Sequence, residues 1–221
     1  MEIILKYFSE FTDEQLKQFA ALEDLYKDWN EKINVISRKD IDGLYEKHVL
    51  HSLSIAAAFH FADGTEIVDL GCGGGFPGVP LAIFFPNVHF HLVDSIAKKL
   101  KVVNEVSKTI GLKNVTTQHS RIEDIKNRKF DYVISRAVAP LKDLWRWSKP
   151  LLADAKKQKA KSEDPDGAPK GVNQAPALIC LKGGDLAKEI QESQARPQVL
   201  PIKEIFDEPF FEEKFLIYVK K

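Results

Sequence analysis

The spacing of hydrophobic residues divides the chain into a helical first part and a second part in which strands alternate with helices. Leu16, Phe19 and Leu22 recur at helical intervals, and the residues just before them, Thr12 to Gln15, have the pattern of a capping box. A second helical pattern runs from about Ile41 to His60, and neither stretch has a strand pattern. The chain is therefore predicted to begin with helices.

From Glu66 onward, short apolar runs alternate with helical patterns. The first run, Glu66–Leu70, is continuous and ends in glycines, which is typical of a strand buried in a parallel sheet. Further strands are predicted at 89–93, 115–118, 132–135 and 177–181, a closing antiparallel pair at 199–206 and 214–219, and helices at 80–85 and 97–110.

This alternation predicts a doubly wound α/β fold with a mostly parallel, seven-stranded sheet and an antiparallel C-terminal strand. The 221 residues fit one domain, since domains usually have roughly 100–200 residues. We expect residues 1–63 to be a helical extension and residues 64–221 to be the cofactor-binding α/β core.

Composition and charge narrow the kinds of ligand, cross-link and cellular location that the chain is expected to have. The formal net charge is +0, so any contact with nucleic acid must use a local basic patch rather than the overall field. Cys72 and Cys180 have no paired spacing, and neither a disulfide framework nor a metal site is predicted. The start lacks a signal-peptide pattern, and no apolar run approaches the roughly 20 residues of a membrane span. The chain is therefore expected to be cytoplasmic, without a membrane partner.

A glycine-rich loop follows the first predicted strand. The loop from Gly71 to Gly78 lies where ligands bind in open α/β sheets, at the carboxyl end of a strand. Gly73, Gly75 and Gly78 fit the dinucleotide pattern G-x-G-x-x-G, and Asp94 lies near the spacing expected of a ribose-binding acid. The spacing alone is therefore compatible with an NAD-dependent oxidoreductase.

Asp69 and two prolines favour a different cofactor. Asp69 stands two residues before the first glycine, which resembles the first motif of Rossmann-like methyltransferases, where the acid helps to hold the cationic methionine end of S-adenosylmethionine. A pyrophosphate instead needs the N–H groups of a helix N-terminus, where a nearby carboxylate is unfavourable. Pro77 and Pro80 also remove two N–H donors there. These residues favour S-adenosylmethionine over NAD.

The ends of the second and third predicted strands can hold the rest of this cofactor. Asp94 can accept hydrogen bonds from two ribose hydroxyls, and capping the following helix is an alternative that is compatible with this role. Ile122 is expected against the adenine face, with neighbouring polar groups at the adenine edge. For Glu123 and Asp124 an ordinary solvated turn is the alternative.

The segment after the fourth strand, Ile134–Pro140, bears on the methyl acceptor. It lacks the Asn/Asp-Pro-Pro-Tyr/Phe motif that is common in enzymes that methylate adenine amines. Cys72 lies in the loop and Cys180 in a strand, so neither suits the nucleophile that pyrimidine C5 methylation needs. An acceptor with a free lone pair, such as guanine N7, needs no general base, and positioning alone can drive the transfer.

Six blocks of the sequence, in order, resemble the bacterial ribosomal RNA small subunit methyltransferase G family, also called glucose-inhibited division protein B. The blocks are 29–37 with 46–53, 69–81, 92–95, 120–123, 134–137 and 181–184. The resemblance covers nearly the full length and implies a Rossmann-like class I methyltransferase fold. It implies methyl transfer from S-adenosylmethionine to N7 of a guanine in 16S ribosomal RNA of the small subunit, by a protein that we expect to be a monomer. An NAD-dependent oxidoreductase and a non-catalytic RNA-binding module are the alternatives.

The resemblance also implies roles for individual residues. By this likeness Gly71, Phe76, Ile122, Glu123 and Arg136 occupy cofactor-contact positions. With the residues argued above, the predicted cofactor-binding set is Asp69, Gly71, Gly73, Gly75, Phe76, Asp94, Ser95, Ile122, Glu123 and Arg136. A basic cluster for RNA phosphates or a flipped base would consist of Lys98, Arg121, Arg136 and Lys182. A solvated helix face is the alternative for Lys98, and an ion pair with Asp94 or Glu123 is the alternative for Arg136; no catalytic residue or metal ligand is assigned.

Two features depart from the family pattern. The segment from Lys156 to Gln174 looks longer than expected, and its charge, proline and glycine content predicts a mobile loop, with a nucleic-acid tail as the alternative. His51 stands where an acidic residue is expected. Asn30, Asn34 and His48 could contact the substrate or pack the helices against the sheet, and we favour packing.

Overall fold

The computed structural model describes residues 1–136, 138–154 and 176–221, so the predicted loop at 156–174 lies outside the described residues. The described strands form one sheet of seven in the order β3-β2-β1-β4-β5-β7-β6. The strands are β1 Glu66–Leu70, β2 His89–Asp94, β3 Val115–His119, β4 Tyr132–Arg136, β5 Ala177–Gly183, β6 Gln198–Pro201 and β7 Lys214–Lys220. β1 to β5 are mutually parallel, and β7 runs antiparallel to both β5 and β6. The fold predicted from the sequence is confirmed.

One strand prediction needs correction. The expected strand at 199–206 ends at Pro201, and Ile202–Glu204 form a 3-10 turn instead. Proline has no backbone N–H to continue a ladder, so it commonly marks the edge or end of strand pairing. β7 also lies between β5 and β6, an order that periodicity alone cannot reveal.

The helices lie on both faces of the sheet. They are α1 Glu2–Tyr7, α2 Asp13–Lys32, α3 His51–Ala58, α4 Gly78–Phe84, α5 Ala97–Thr109, α6 Leu141–Leu151 and α7 Ala187–Ser193. The capping box predicted at the start of α2 is present, because the Thr12 side chain accepts from the Gln15 amide while the Gln15 side chain accepts from the Thr12 amide. No described helix is long and apolar enough to cross a membrane.

The alternation of side chains along the strands produces two separate hydrophobic cores. Ile67 and Phe90 face one core, which also holds the buried residues of α2 to α5. Val68 and Leu178 face the other core, beneath α6 and α7. The helices of the N-terminal part therefore pack on the same face of the sheet as α4 and α5.

The helical stretch predicted from Ile41 to His60 is not one regular helix. It consists of a 3-10 turn at Ile41–Gly43, a π-helix at Leu44–Leu50 and α3. π-helical turns are rare and often occur at functional sites. The π-helix carries His48, whose ring packs against Phe76 after β1.

Asn114 holds the turn that connects α4 to β2. Its buried Nδ2 lies 3.0 Å from each of the carbonyl oxygens of Ala82, Phe85 and Val88. Ala82 lies in the last turn of α4 and Phe85 and Val88 follow it, where carbonyls have few helical partners. The Phe85 carbonyl also accepts from the Val88 amide, so the Asn114 side chain matters most for the carbonyls of Ala82 and Val88.

We predict that Asn114→Ala lowers the free energy of unfolding by about 1–3 kcal/mol, because buried carbonyls lose their donor. The control is Asn104→Ala, because Asn104 is exposed on α5 and accepts from the Thr117 hydroxyl. It should change the stability by less than about 0.5 kcal/mol. Urea titration of both variants measures the difference, and equal losses would contradict the role assigned to Asn114.

Candidate functional site

The loop between β1 and α4 turns sharply at the carboxyl end of β1. Gly71, Gly73 and Gly75 have φ angles of 68°, 57° and 101°, in the left-handed region that favours glycine. A Cβ on Gly71 would lie 2.6 Å from Cγ2 of Val138, whereas a Cβ on Gly73 would have no neighbour within 4 Å. Gly71 is thus required by contact as well as by conformation, and Gly73 by conformation alone.

Asp69, near the end of β1, is fully buried beneath this loop. Its Oδ2 accepts a hydrogen bond from the Gly78 amide at 2.9 Å, at the first residue of α4. Its Oδ1 has no hydrogen-bond partner among the described residues. Burial raises the pKa of Asp69 to about 7, against the opposing effects of the Gly78 amide and Arg136. The amide that a pyrophosphate would need is therefore already held by a carboxylate.

Asp94, at the end of β2, braces the loop from the other side. Its Oδ2 accepts from the Gly73 amide at 2.9 Å and its Oδ1 accepts from the Ile96 amide at 2.8 Å. A carboxylate has about four acceptor positions, so two amides leave capacity for further donors. The alternative prediction, that Asp94 caps α5, is wrong, because the N-cap of α5 is Ile96 and no side chain caps that helix.

Ser95 is exposed, and its carbonyl lies 3.0 Å from Nε2 of His119.

Arg136, at the end of β4, reaches toward the same loop. Its guanidinium lies 5.1 Å from the centre of the Phe76 ring and donates to Nδ1 of His48 at 3.0 Å. No carboxylate of the described residues forms an ion pair with it, so the ion pair considered with Asp94 or Glu123 is not formed. Burial lowers the pKa of Arg136 to about 10, so the group stays cationic at neutral pH.

His48 supplies the acceptor for this arginine from the π-helix. Burial, with help from the Arg136 charge, lowers the pKa of His48 to about 3, so the ring is neutral. An Nδ1 that accepts from Arg136 requires the proton on Nε2, which has no partner among the described residues. The His48 ring also packs on Phe76, with ring centres 5.2 Å apart.

The segment after α2 covers the outer side of the loop. The Asn30 side chain accepts from the amides of Val35 and Ile36 and donates to the Ile36 carbonyl, so its bonds hold the turn after α2. Val35 then lies against Gly74, where a Cβ would be 3.0 Å from the Val35 Cβ. The Tyr26 hydroxyl donates to the Gly74 carbonyl at 2.6 Å. Asn34 is exposed.

His51, which stands where the family pattern has an acidic residue, is a neutral and buried side chain. It meets the rings of Phe210 and Phe211 edge to face at 5.8 Å, and it is only 6% exposed. Burial lowers the pKa of His51 to about 3. An aromatic setting of this kind accommodates a neutral ring, whereas a carboxylate there would lose its hydration.

The predicted adenine-binding residues lie near the ends of β2 and β3. Ile122 is half-buried, while Glu123 is exposed in the 3-10 turn Ile122–Asp124. Ile96 was not among the predicted residues, but it is 47% exposed just after Asp94. An apolar residue at a helix N-cap is unusual and could have indicated a ligand contact.

The basic residues predicted to surround the site differ in their environments. Lys98, in the first turn of α5, and Arg121 are exposed. Lys182 is only 8% exposed, and its ammonium is paired with Glu189. The structure therefore leaves Lys98 and Arg121 open to solvent, while the charge of Lys182 is already compensated.

Comparison with known proteins gives one consistent result. Residues 14–160 match the model of the family described as rRNA small subunit methyltransferase G. The chain is 54% identical over 219 residues to the ribosomal RNA small subunit methyltransferase G of Bacteroides thetaiotaomicron, covering 99% of this chain and 98% of the relative. It is 52% identical to the protein of the same name from Phocaeicola vulgatus, with the same coverage of both chains. These relatives give no support to the oxidoreductase or non-catalytic alternatives.

Solved structures with a similar fold are more distant in sequence. The precorrin-6y C5,15-methyltransferase of Geobacter metallireducens superimposes with a TM-score of 0.52 at 10% identity, covering 86% of this chain and 92% of the other. M. jannaschii TYW2 in complex with AdoMet superimposes with a TM-score of 0.52 at 14% identity, covering 86% and 78%. At these identities the likeness shows the fold alone, which is that of class I methyltransferases.

We predict that Gly71→Ala is more harmful than Gly73→Ala. Both substitutions place a side chain in a left-handed conformation, which costs about 1–2 kcal/mol. Only Gly71→Ala also drives a Cβ into Val138, and such overpacking adds about 1–3 kcal/mol. Thermal unfolding of the two variants side by side measures this difference, and equal destabilisation would show that Val138 yields without cost.

Proposed function

Because the chain belongs to the rRNA small subunit methyltransferase G family, we propose that it transfers a methyl group from S-adenosylmethionine to N7 of a guanine in 16S ribosomal RNA. The observation that carries this proposal is the family match over nearly the whole chain. The geometry around the glycine loop supports the choice of cofactor independently of the match.

The residues around the loop suit S-adenosylmethionine group by group. The unpartnered, buried Oδ1 of Asp69 suits a cationic donor such as the ammonium of the methionine end. Arg136, without an ion pair among the described residues, suits the methionine carboxylate. Asp94 retains acceptor positions for ribose hydroxyls, and Ile96 and Ile122 provide apolar surface for the adenine.

The remaining predicted contacts are proposed as supporting ones. Gly71, Gly73 and Gly75 shape the loop so that the backbone can approach the ligand closely. Phe76 holds Arg136 by a cation–π contact, while Ser95 and Glu123 are exposed and can donate or accept at the rim of the adenosyl site.

Methyl transfer to guanine N7 requires no general base, because N7 carries no proton that must be removed. Bound S-adenosylmethionine would supply a methyl group on its sulfonium. The lone pair of N7 would form the new N–C bond as the S–C bond breaks, leaving S-adenosylhomocysteine. The task of the protein is to hold donor and acceptor in line, and orientation of this kind can contribute about 7–11 kcal/mol to lowering the barrier. We therefore assign positioning roles and no catalytic proton transfer.

The RNA is expected to approach over exposed basic side chains near the strand ends. Lys98 and Arg121 are open to solvent there and can contact phosphates. We propose that the partner is 16S ribosomal RNA or the small ribosomal subunit and that the protein acts as a cytoplasmic monomer. We also propose that residues 1–63 and 64–221 work as one domain, supported by the contacts of Tyr26 and Val35 with Gly74.

The direct test incubates the protein with small subunits that lack the modification, or with naked 16S RNA, and with methyl-labelled S-adenosylmethionine. We expect label on N7 of one guanine after digestion and mapping. Titration with S-adenosylhomocysteine and with NAD accompanies the assay. Cofactor binding without any label would support the non-catalytic alternative, and binding of NAD alone would support the oxidoreductase.

A second prediction concerns pH. The pKa of Asp69 is about 7 because of burial, so the carboxyl is largely protonated at pH 6 and ionised at pH 8. If ionised Asp69 holds the methionine ammonium, affinity for S-adenosylhomocysteine falls as pH decreases below 7, approaching about tenfold per pH unit. His48 and His51, with pKa values of about 3, do not titrate in this range.

Calorimetric titration from pH 5.5 to 8 measures this dependence, and the matched control is Asp69→Asn. This variant keeps the size of the side chain but removes the titrating group, so its affinity should be lower at pH 8 and independent of pH. A wild-type affinity that stays constant between pH 6 and 8 would show that Asp69 does not hold a cation.

A further inference from the structure

The segment Val138–Pro140 connects β4 to α6 beside the glycine loop. Val138 lies against Gly71, closely enough that a Cβ on Gly71 would meet both of its methyl groups. In the sheet order, β4 borders β1 on the side away from β2 and β3. Asp94 and Ile122 follow β2 and β3, so this segment borders the opposite half of the site.

A buried lysine and a glutamate bind the backbone of this segment and of the residue that follows it. Lys182, at the end of β5, donates from Nζ to the Ala139 carbonyl at 2.5 Å and to Oε1 of Glu189 at 2.5 Å. The same Oε1 accepts from the Leu141 amide at 2.5 Å. The backbone on both sides of Pro140 is therefore tied to one charged pair, which we call the Lys182–Glu189 clamp.

The environment of the clamp distinguishes it from ordinary surface ion pairs. Lys182 is 8% exposed, and its side chain gains charge-assisted hydrogen bonds in return for losing water. Removing one charge from a buried pair is disruptive, but a buried pair adds little net stability compared with apolar residues of similar size. Its contribution here is the fixed geometry that it imposes on the backbone of residues 139 and 141.

A second ion pair on α7 is exposed to solvent, unlike the Lys182–Glu189 clamp. Lys188 and Glu192, also on α7, approach to 3.8 Å with side chains that are 87% and 57% exposed. Exposed pairs of this kind contribute little to stability. No backbone group of the described residues is bound by either side chain, so this pair serves as an internal control.

We propose that Lys182 and Glu189 are positioning residues that fix Val138–Pro140, and with it the acceptor side of the site. On this proposal Lys182 does not bind an RNA phosphate, because its ammonium is committed to Glu189 and Ala139. The inference rests on the proposed function, since it assigns the acceptor guanine to the half of the site that borders β4.

The test compares Lys182→Met and Glu189→Gln with the control Glu192→Gln, using unmodified small subunits. The positioning role predicts that both clamp variants lower kcat by about tenfold or more, while the dissociation constant for S-adenosylhomocysteine changes by less than about threefold. Glu192→Gln should match the wild type. A phosphate contact predicts instead that Lys182→Met raises KM and weakens the salt dependence at unchanged kcat, and that Glu189→Gln binds RNA no more weakly. That second pattern would overturn the proposal.

A double variant separates positioning from folding. Lys182→Met with Glu189→Leu replaces the buried pair by apolar side chains and should restore the thermal stability lost in Lys182→Met. Because the Ala139 carbonyl and the Leu141 amide both lack their partners in this double variant, kcat should stay low. Recovery of kcat together with stability would show that the clamp acts only on folding.

The exchange rate of the Leu141 amide proton provides a readout that does not depend on activity. The rate should rise in Glu189→Leu and stay unchanged in Glu192→Gln, because only the first variant removes the acceptor of that amide. If wild type and control transfer no methyl group, the proposed function fails, and the amide exchange still decides whether the clamp holds the segment. If they are active and the clamp variants equal them, the clamp proposal fails alone.

Discussion

The hydrogen bond from the Gly78 amide to the buried carboxylate of Asp69 is the contact around which this site is built. It joins the end of β1 to the start of α4, and so it determines how the intervening loop must turn. Burial brings the pKa of this carboxyl close to neutrality and leaves one of its oxygens without a partner among the described residues. A side chain held in that state is well suited to a cationic ligand and poorly suited to a phosphate.

The loop depends equally on parts of the chain that are remote in sequence. Asp94 accepts from its backbone on the sheet side, and Tyr26 donates to it from α2. His48, on the π-helix, accepts from Arg136 at the end of β4. The N-terminal helices are thus part of the site rather than an attachment to it, because they provide both packing for the loop and an uncharged acceptor for its arginine.

The assignment of function draws on two kinds of evidence that answer different questions. The physical features of the loop select a cofactor, because Asp69 already uses the amide that a dinucleotide would need. They do not select the acceptor base. The guanine and the ribosomal RNA come from family membership, to which the absence of an adenine-methylation motif after β4 adds a consistent chemical argument.

Much of the architecture could be predicted because it depends on local periodicity and on residue types with one strong use. Local patterns predicted the alternating strands and helices, the glycines of the loop and the acids at two strand ends. The sheet confirms these predictions. The sequence by itself determined the fold class, the place of the glycine loop at the end of β1 and the chemical type of the cofactor. Only the tertiary structure decided that β7 lies inside the sheet, that His48 accepts from Arg136 and that Lys182 is committed to Glu189 and Ala139. The physical reason is that strand order, burial and the partner of each charge depend on contacts between residues far apart in the chain, which periodicity does not record.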